Sequence, residues 1–94
     1  MPRGRVKKVM DGDTVALEDG TKVRLSGVEA PELRRKGGSA AKRELEQLVK
    51  NKTITYIEKG RSYGRIVGIV RAGPKNINEE MIKRLKETSK KSKK

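Results

Sequence analysis

The chain has 94 residues, 25 of them Lys or Arg against 12 Asp or Glu, for a net charge of +13. That length makes one domain, and with 32% apolar residues, no Phe or Trp and two Tyr, its core must be thin and built from Val, Ile and Leu. The absence of Cys and His excludes disulfides, Cys/His zinc sites, thiol nucleophiles and imidazole acid–base chemistry, so any catalysis must use carboxylates, Lys, Arg, Tyr or an oxygen-held metal.

In chain order, RVKKVM at 5–10 reads as a first short strand, followed by a turn at Asp11-Gly12. Residues 13–18 and 21–28 read as two strands joined at Asp19-Gly20, the strongest local hairpin signal present. Val15, Leu17, Val23 and Leu25 all belong on the buried face. A two-residue loop would pair Val15 with Arg24; a three-residue loop, Glu18-Asp19-Gly20 with Gly20 left-handed, pairs Val15 with Val23 and keeps all four inside. That register sets Asp11 opposite Gly27, so residues 11–13 and 27–32 are expected to meet at one end of the hairpin.

Pro31 rules out a continuing central strand, and Glu29 to Gly38 is expected to be a loop. Ser39 is the expected N-cap of a helix over about 40–50, with Ala41, Leu45 and Leu48 or Val49 as its buried stripe. TITYIE at 53–58 and RIVGIVR at 65–71 read as two further strands, joined by the basic loop KGRSYG at 59–64. A second helix is expected to begin with Asn78 as N-cap, Glu79 and Glu80 in its first turn, an Ile77 to Ile82 staple, and Lys83, Arg84 and Lys86 in its last turn. Met81, Ile82 and Leu85 are expected to face the core. Residues 1–88 then form one domain, with SKKSKK at 89–94 a disordered basic tail. Five strands with a helix after the third and another at the end is the element order of an OB-like barrel, mainly β with two helices.

The charge excess asks for a polyanion. No apolar run approaches the roughly 18 residues of a spanning helix, and the lysine tail lacks the apolar face of a membrane anchor. Nucleic acid is the expected partner, with no membrane. The N-terminal MPRGRVKKV has no apolar signal segment, which points to the cytoplasm, and a monomer is expected.

Against that background Asp11, Asp13, Glu29 and Glu32 gather at one hairpin end, although carboxylates facing a phosphate backbone repel it. A divalent cation resolves the conflict, and oxygen ligands point to the hard ions Ca²⁺ or Mg²⁺. Such an ion can bridge a phosphate oxygen and a water, a free carboxylate can take the water's proton, and arginines can neutralise charge on the phosphoryl oxygens. Each element alone has a plainer reading: Asp-Gly-Asp as turn chemistry, Glu29 and Glu32 as solvated loop residues, Arg24 as a surface residue, and Tyr63-Gly64-Arg65 as a hairpin closure. Strand parity by itself does not bring Arg24 to Asp13.

As an ordered set, however, VxDGDTVxL, DGxKVRLxGVxAPE, GGSAAK, SYGR before an apolar strand, and NINEEMIKRL resemble the staphylococcal nuclease (thermonuclease-like) family, from about Val6 to Glu87. The resemblance implies an OB-like five-stranded barrel with helices and a Ca²⁺-dependent phosphodiesterase site, with Mg²⁺ or Mn²⁺ as other candidate ions. It implies Asp13 and Glu29 as carboxylate ligands of the metal, the Ala30 backbone carbonyl as a third ligand, and Asp11 in support. Glu32 matches the general base, Arg24 and Arg65 the arginines on the scissile phosphate, and Tyr63 a tyrosine near the terminal phosphate.

Three departures qualify the match. Glu29 stands where the family usually has Asp, the loop ELRRKGG is shorter than in the best-known member, and SKKSKK replaces a C-terminal segment with a third helix and base-stacking tyrosines. The expected function is a nuclease of low sequence specificity acting on single-stranded or locally opened DNA or RNA. The alternative is a non-catalytic OB-fold binding module with a vestigial site. A reader of methylated side chains would need an aromatic cage that two tyrosines cannot build.

Overall fold

The computed structural model describes residues 2–92, with side chains described through residue 87. In order the elements are β1 (Arg3–Asp11), β2 (Thr14–Leu17), β3 (Lys22–Leu25), α1 (Gly38–Val49), β4 (Thr53–Ser62), β5 (Arg65–Ala72), β6 (Lys75–Asn76) and α2 (Ile77–Ser92). The fold is mainly β with two helices, as the sequence predicts. Strands run β3-β2-β1-β4-β5, and a parallel pairing of β3 with β5 closes them into a ring of five. The short β6, absent from the sequence reading, adds to β5 through Arg71↔Asn76 and Ala72↔Lys75.

The first hairpin has the expected register. Val15 pairs with Val23, Gly20 has φ 93, and Val15, Leu17, Val23 and Leu25 are all buried. Its open end differs from expectation. β1 and β2 close at Asp11↔Thr14, so Gly12 and Asp13 form the turn, Asp13 is not a strand residue, and Asp11 pairs within that hairpin rather than lying across from Gly27. The expected loop at 59–64 is also mostly strand. β4 and β5 stay paired up to Ser62↔Arg65 across a Tyr63-Gly64 turn, with a register shift between Glu58 and Gly60. A two-residue turn with both φ positive suits the strand twist, and Tyr63 takes that conformation at φ 52.

The ring encloses Val6, Val9, Val15, Leu17, Val23, Leu25, Val28, Ile54, Tyr56 and Val70, and the helices cover it. α1 buries Ala41 and Leu45 of the predicted stripe and both of its alternatives, Leu48 and Val49. Its N-cap position is Gly37, with φ 88, and not Ser39, because the helix begins two residues earlier. α2 buries Met81 fully and Ile82 and Leu85 in part. Its cap is likewise displaced: the Asn76 carboxamide oxygen accepts the Glu79 N–H at 3.1 Å, the geometry of an N-cap. Ile77 is thus a core residue inside the helix, outside the position a staple requires.

Asn78 faces inward instead. It accepts the Val70 N–H at 2.9 Å and donates to the carbonyls of Ser26 at 2.9 Å and Gly68 at 3.0 Å. The two helices are joined by Arg84, which donates to Glu44 at 2.7 Å and lies 3.8 Å from Glu80. α2 continues through Ser92, into the stretch read as a tail, and Lys93 and Lys94 lie outside the described residues. Among the described residues no helix is long and apolar enough to cross a membrane.

Candidate active site

The Gly12-Asp13 turn builds the centre of the site. Gly12 has no room for a side chain: a Cβ there would lie 2.6 Å from the Cβ atoms of both Ala30 and Ala41. A glycine here lets the turn sit close against α1 at Ala41 on one side and the 29–32 loop at Ala30 on the other. Asp11 then reaches across the turn, its Oδ1 accepting the Asp13 N–H at 3.0 Å. Thr14 donates its hydroxyl to Asp13 Oδ1 at 3.0 Å. Arg24 pairs directly with Thr14 across the sheet, and its Nη2 lies 3.6 Å from Asp13 Oδ2. A long contact of 3.5 Å joins the same guanidinium to the Val28 carbonyl.

Asp13 is 8% exposed. Burial pushes its pKa above the ordinary value of 3.8, and the neighbouring Asp11 carboxylate adds to the rise, while Thr14 and Arg24 oppose it. In the unfolded chain Asp13 titrates at the ordinary value and in the fold it titrates higher. Folding therefore gains from its protonation below 3.8, and the gain is lost as pH rises through the raised value. At neutral pH the ionised carboxylate is a net cost. Asp13→Asn keeps the shape and the Thr14 contact, so its melting temperature in EDTA is expected to exceed the wild-type value at pH 7. That advantage should vanish by about pH 3.5, where both chains are neutral at this position.

The remaining predicted residues are spread around this pair. Ala30 is half-buried beside Gly12, whereas Glu29 is exposed. Glu32 has a side chain 65% exposed, 3.8 Å from Arg34 and 4.0 Å from Arg35. Its backbone is fixed more firmly, with the carbonyl accepting the Arg35 N–H at 2.9 Å and packing against Gly38, where any Cβ would collide with it. Arg65 opens β5 and is half-buried, and its Nε is buried with no hydrogen-bond partner among the described residues. Because Arg24 pairs with Val67, two residues beyond Arg65, alternation sets both arginines on the outward side of neighbouring strands. Tyr63, at 95% exposed, projects from the adjacent turn.

The structure thus brings together Asp11, Asp13, Arg24 and Ala30. Among the described residues no three acidic side chains share a place suited to one ion. Two carboxylates form a donor set that fits a hard divalent cation retaining several waters, which is how Mg²⁺ is commonly bound and which Ca²⁺ tolerates. The like-charged pair, half-shielded from solvent, is where a cation would be most favourable. Sequence reasoning missed Thr14, Gly12 and Gly38, all of which act by shaping the positions of the acids. The only signal for them is the run of small or hydroxylated residues around each acid.

A family model described as "Staphylococcal nuclease homologue" matches residues 22–85. The chain is 38% identical over 86 residues to a protein named "Uncharacterized endonuclease" from Escherichia coli, covering 85% of this chain and 56% of that one. It is 39% identical over 84 residues to a Haemophilus influenzae protein of the same name, covering 84% and 47%. A "Micrococcal nuclease" from Shigella flexneri is 35% identical over 74 residues, covering 74% and 42%. The chain spans about half the length of the curated relatives it matches. With two-thirds of its length inside the family model, the chain belongs to the staphylococcal nuclease homologue family.

Proposed function

We propose that this chain is a metal-dependent nuclease that hydrolyses phosphodiester bonds in single-stranded or locally opened DNA or RNA with little sequence specificity. The observation that carries the reading is the Asp13 carboxylate, buried beside Asp11 and held by Arg24 in an otherwise strongly basic protein. A stable binding surface for phosphates has no use for two adjacent acids, one of which costs stability when ionised. A nuclease named as such among the relatives supports the same reading.

Asp11 and Asp13 are the residues that would hold the cation, with Glu29 and the Ala30 carbonyl within the neighbouring loop. A bound divalent ion supplies Lewis-acid polarisation of a phosphoryl oxygen and makes water more acidic. The chain's own groups do the rest. Arg24 and Arg65 donate N–H groups to the non-bridging oxygens, where charge grows as the water attacks. Glu32 accepts the proton that the attacking water loses. Tyr63 stands ready to contact a flanking phosphate. Ca²⁺ is the expected ion, with Mg²⁺ and Mn²⁺ as substitutes.

The test is cleavage of end-labelled single-stranded DNA and RNA with Ca²⁺, Mg²⁺, Mn²⁺ or EDTA, with Asp13→Asn beside the wild type. Cleavage is expected with at least one ion and none in EDTA, and Asp13→Asn is expected to lose at least about a hundredfold in rate. The active ion should also raise the melting temperature of the wild type but not of Asp13→Asn. If neither DNA nor RNA is cut with any ion across a wide pH range, the nuclease reading is wrong.

A further inference from the structure

The outward face of β4 and β5 carries a surface that the site above does not use. Along β5 the outward positions are Arg65, Val67, Ile69 and Arg71, the alternates of the inward Ile66, Gly68 and Val70. Ile57 of β4 pairs directly with Ile69 on this face and is 41% exposed. Val67 and Ile69 are themselves only half-buried. At the far end Arg71 pairs with Thr55, which pairs in turn with Arg3 of β1, so two exposed arginines flank a threonine in one row across three strands. The face therefore runs from the Arg24 and Arg65 pair, across an aliphatic strip, to a second guanidinium pair.

No acidic residue occupies an outward position of β5, and the acid at the bulge beside the strip, Glu58, is held by Arg61 at 3.1 Å. Arg71 lies six residue steps along the strand from Arg65, about 20 Å at 3.3 Å per residue. That length accommodates up to about six stacked nucleotides at 3.4 Å each. It falls within the roughly 4–16 nucleotides that a single OB-type domain covers. Apolar side chains between two clusters of guanidinium groups match the chemistry of a single strand, whose bases present flat apolar faces and whose backbone carries a charge at every unit. Charge also selects the occupant: a second copy of a +13 chain would set arginine against arginine here.

We infer that the outward face of β4 and β5 is an extended binding track for the single-stranded nucleic acid being cleaved, with bases lying on Val67, Ile69 and Ile57 and downstream phosphates held by Arg71 and Arg3. The inference rests on the nuclease reading for its direction, since the track continues from Arg65. Its binding content stands apart from cleavage.

The experiment is fluorescence anisotropy with labelled oligothymidylates of 3, 6, 9 and 12 nucleotides in EDTA, where no cleavage intervenes. Wild-type affinity is expected to climb with length up to about six nucleotides and then level off. Arg71→Gln is expected to weaken 12-mer binding about tenfold, flatten the climb, and reduce the slope of log affinity against log salt by about one. Ile57→Tyr is expected to tighten 12-mer binding about fivefold or more, the lower end of what one stacked base contributes. A gain cannot arise from misfolding, so this variant guards against an unstable protein. Unchanged length and salt dependence in Arg71→Gln, or no gain in Ile57→Tyr, overturns the track. Sedimentation that shows a dimer dissociated by Ile57→Ser overturns it in favour of self-association. A wild type that binds along the track but cuts nothing would refute the nuclease reading and leave the track standing.

Discussion

Asn78→Ala is expected to remove about 4 kcal/mol of unfolding free energy, enough to leave this small domain largely unfolded near 37 °C. Three hydrogen bonds end on that one carboxamide, and they join segments far apart in sequence: the loop after β3 through Ser26, and β5 through Gly68 and Val70. Alanine strips the Val70 N–H and the Ser26 carbonyl of this side-chain partner and leaves the Gly68 carbonyl with the Ser26 N–H alone. Each buried group stripped of its partner costs about 1–3 kcal/mol. Asn78 also lies in the first turn of α2, so its loss loosens the helix that covers the ring. Urea denaturation followed by far-UV circular dichroism measures the effect, and Asn76→Ala provides the comparison. The Asn76 side chain makes one such bond, capping the helix at the Glu79 N–H, and its removal should cost about 1 kcal/mol. A loss at Asn78 no larger than at Asn76 would show that the three bonds do not act as a structural pin.

The contrast between those two asparagines also explains what the sequence could and could not reveal. In Asn76-Ile77-Asn78-Glu79-Glu80 either asparagine satisfies the local rule for an N-cap, and acidic residues follow both. The choice is made by β6: pairing Asn76 with Arg71 fixes the chain in an extended conformation up to that residue, so the helix starts at Ile77 and Asn78 turns inward. A two-residue strand leaves no periodic trace. Arg84 is a similar case. It reads as a last-turn cation, and in the fold it is the tie between α1 and α2 through Glu44.

What depends on periodicity was legible. The four-residue apolar pattern of Val15, Leu17, Val23 and Leu25 admits only one register that buries all of them, and α1 follows its stripe. The parallel contact of β3 with β5, which closes the ring, joins residues about 43 apart and has no local signature. The same limit applied to the site. Pairing sets Thr14, not Asp13, opposite Arg24, so alternation alone keeps the arginine from the acid. The contact exists because Asp13 leaves the ladder in a tight turn and falls back toward the arginine. Motif order carried that information when strand parity did not.

Glu32→Gln is expected to lower kcat by about a thousandfold, within the 10²–10⁴ range of a positioned general base, and to leave affinity for single-stranded DNA in EDTA within about twofold. Glu32 belongs to a loop whose backbone is pinned at the Arg35 N–H and against Gly38, yet its carboxylate is exposed, with Arg34 and Arg35 at loose distances. Loose exposed ion pairs contribute little to stability, so Glu32→Gln should melt within about 1 °C of the wild type. The loss then isolates chemistry from folding. Arg65→Ala is the complement. In the proposed role it would remove a donor to the phosphoryl oxygens and should cost about 10²–10³ in kcat, and it should also weaken binding, because in that role the same guanidinium would hold the ground-state phosphate. A base and a phosphate clamp are thus told apart by whether affinity in EDTA moves with rate. If Glu32→Gln cuts as fast as the wild type, proton removal falls to another group and the assignment of Glu32 fails. If both variants alter binding and the wild type never cuts, the fold serves as a binding module whose paired aspartates no longer carry out hydrolysis.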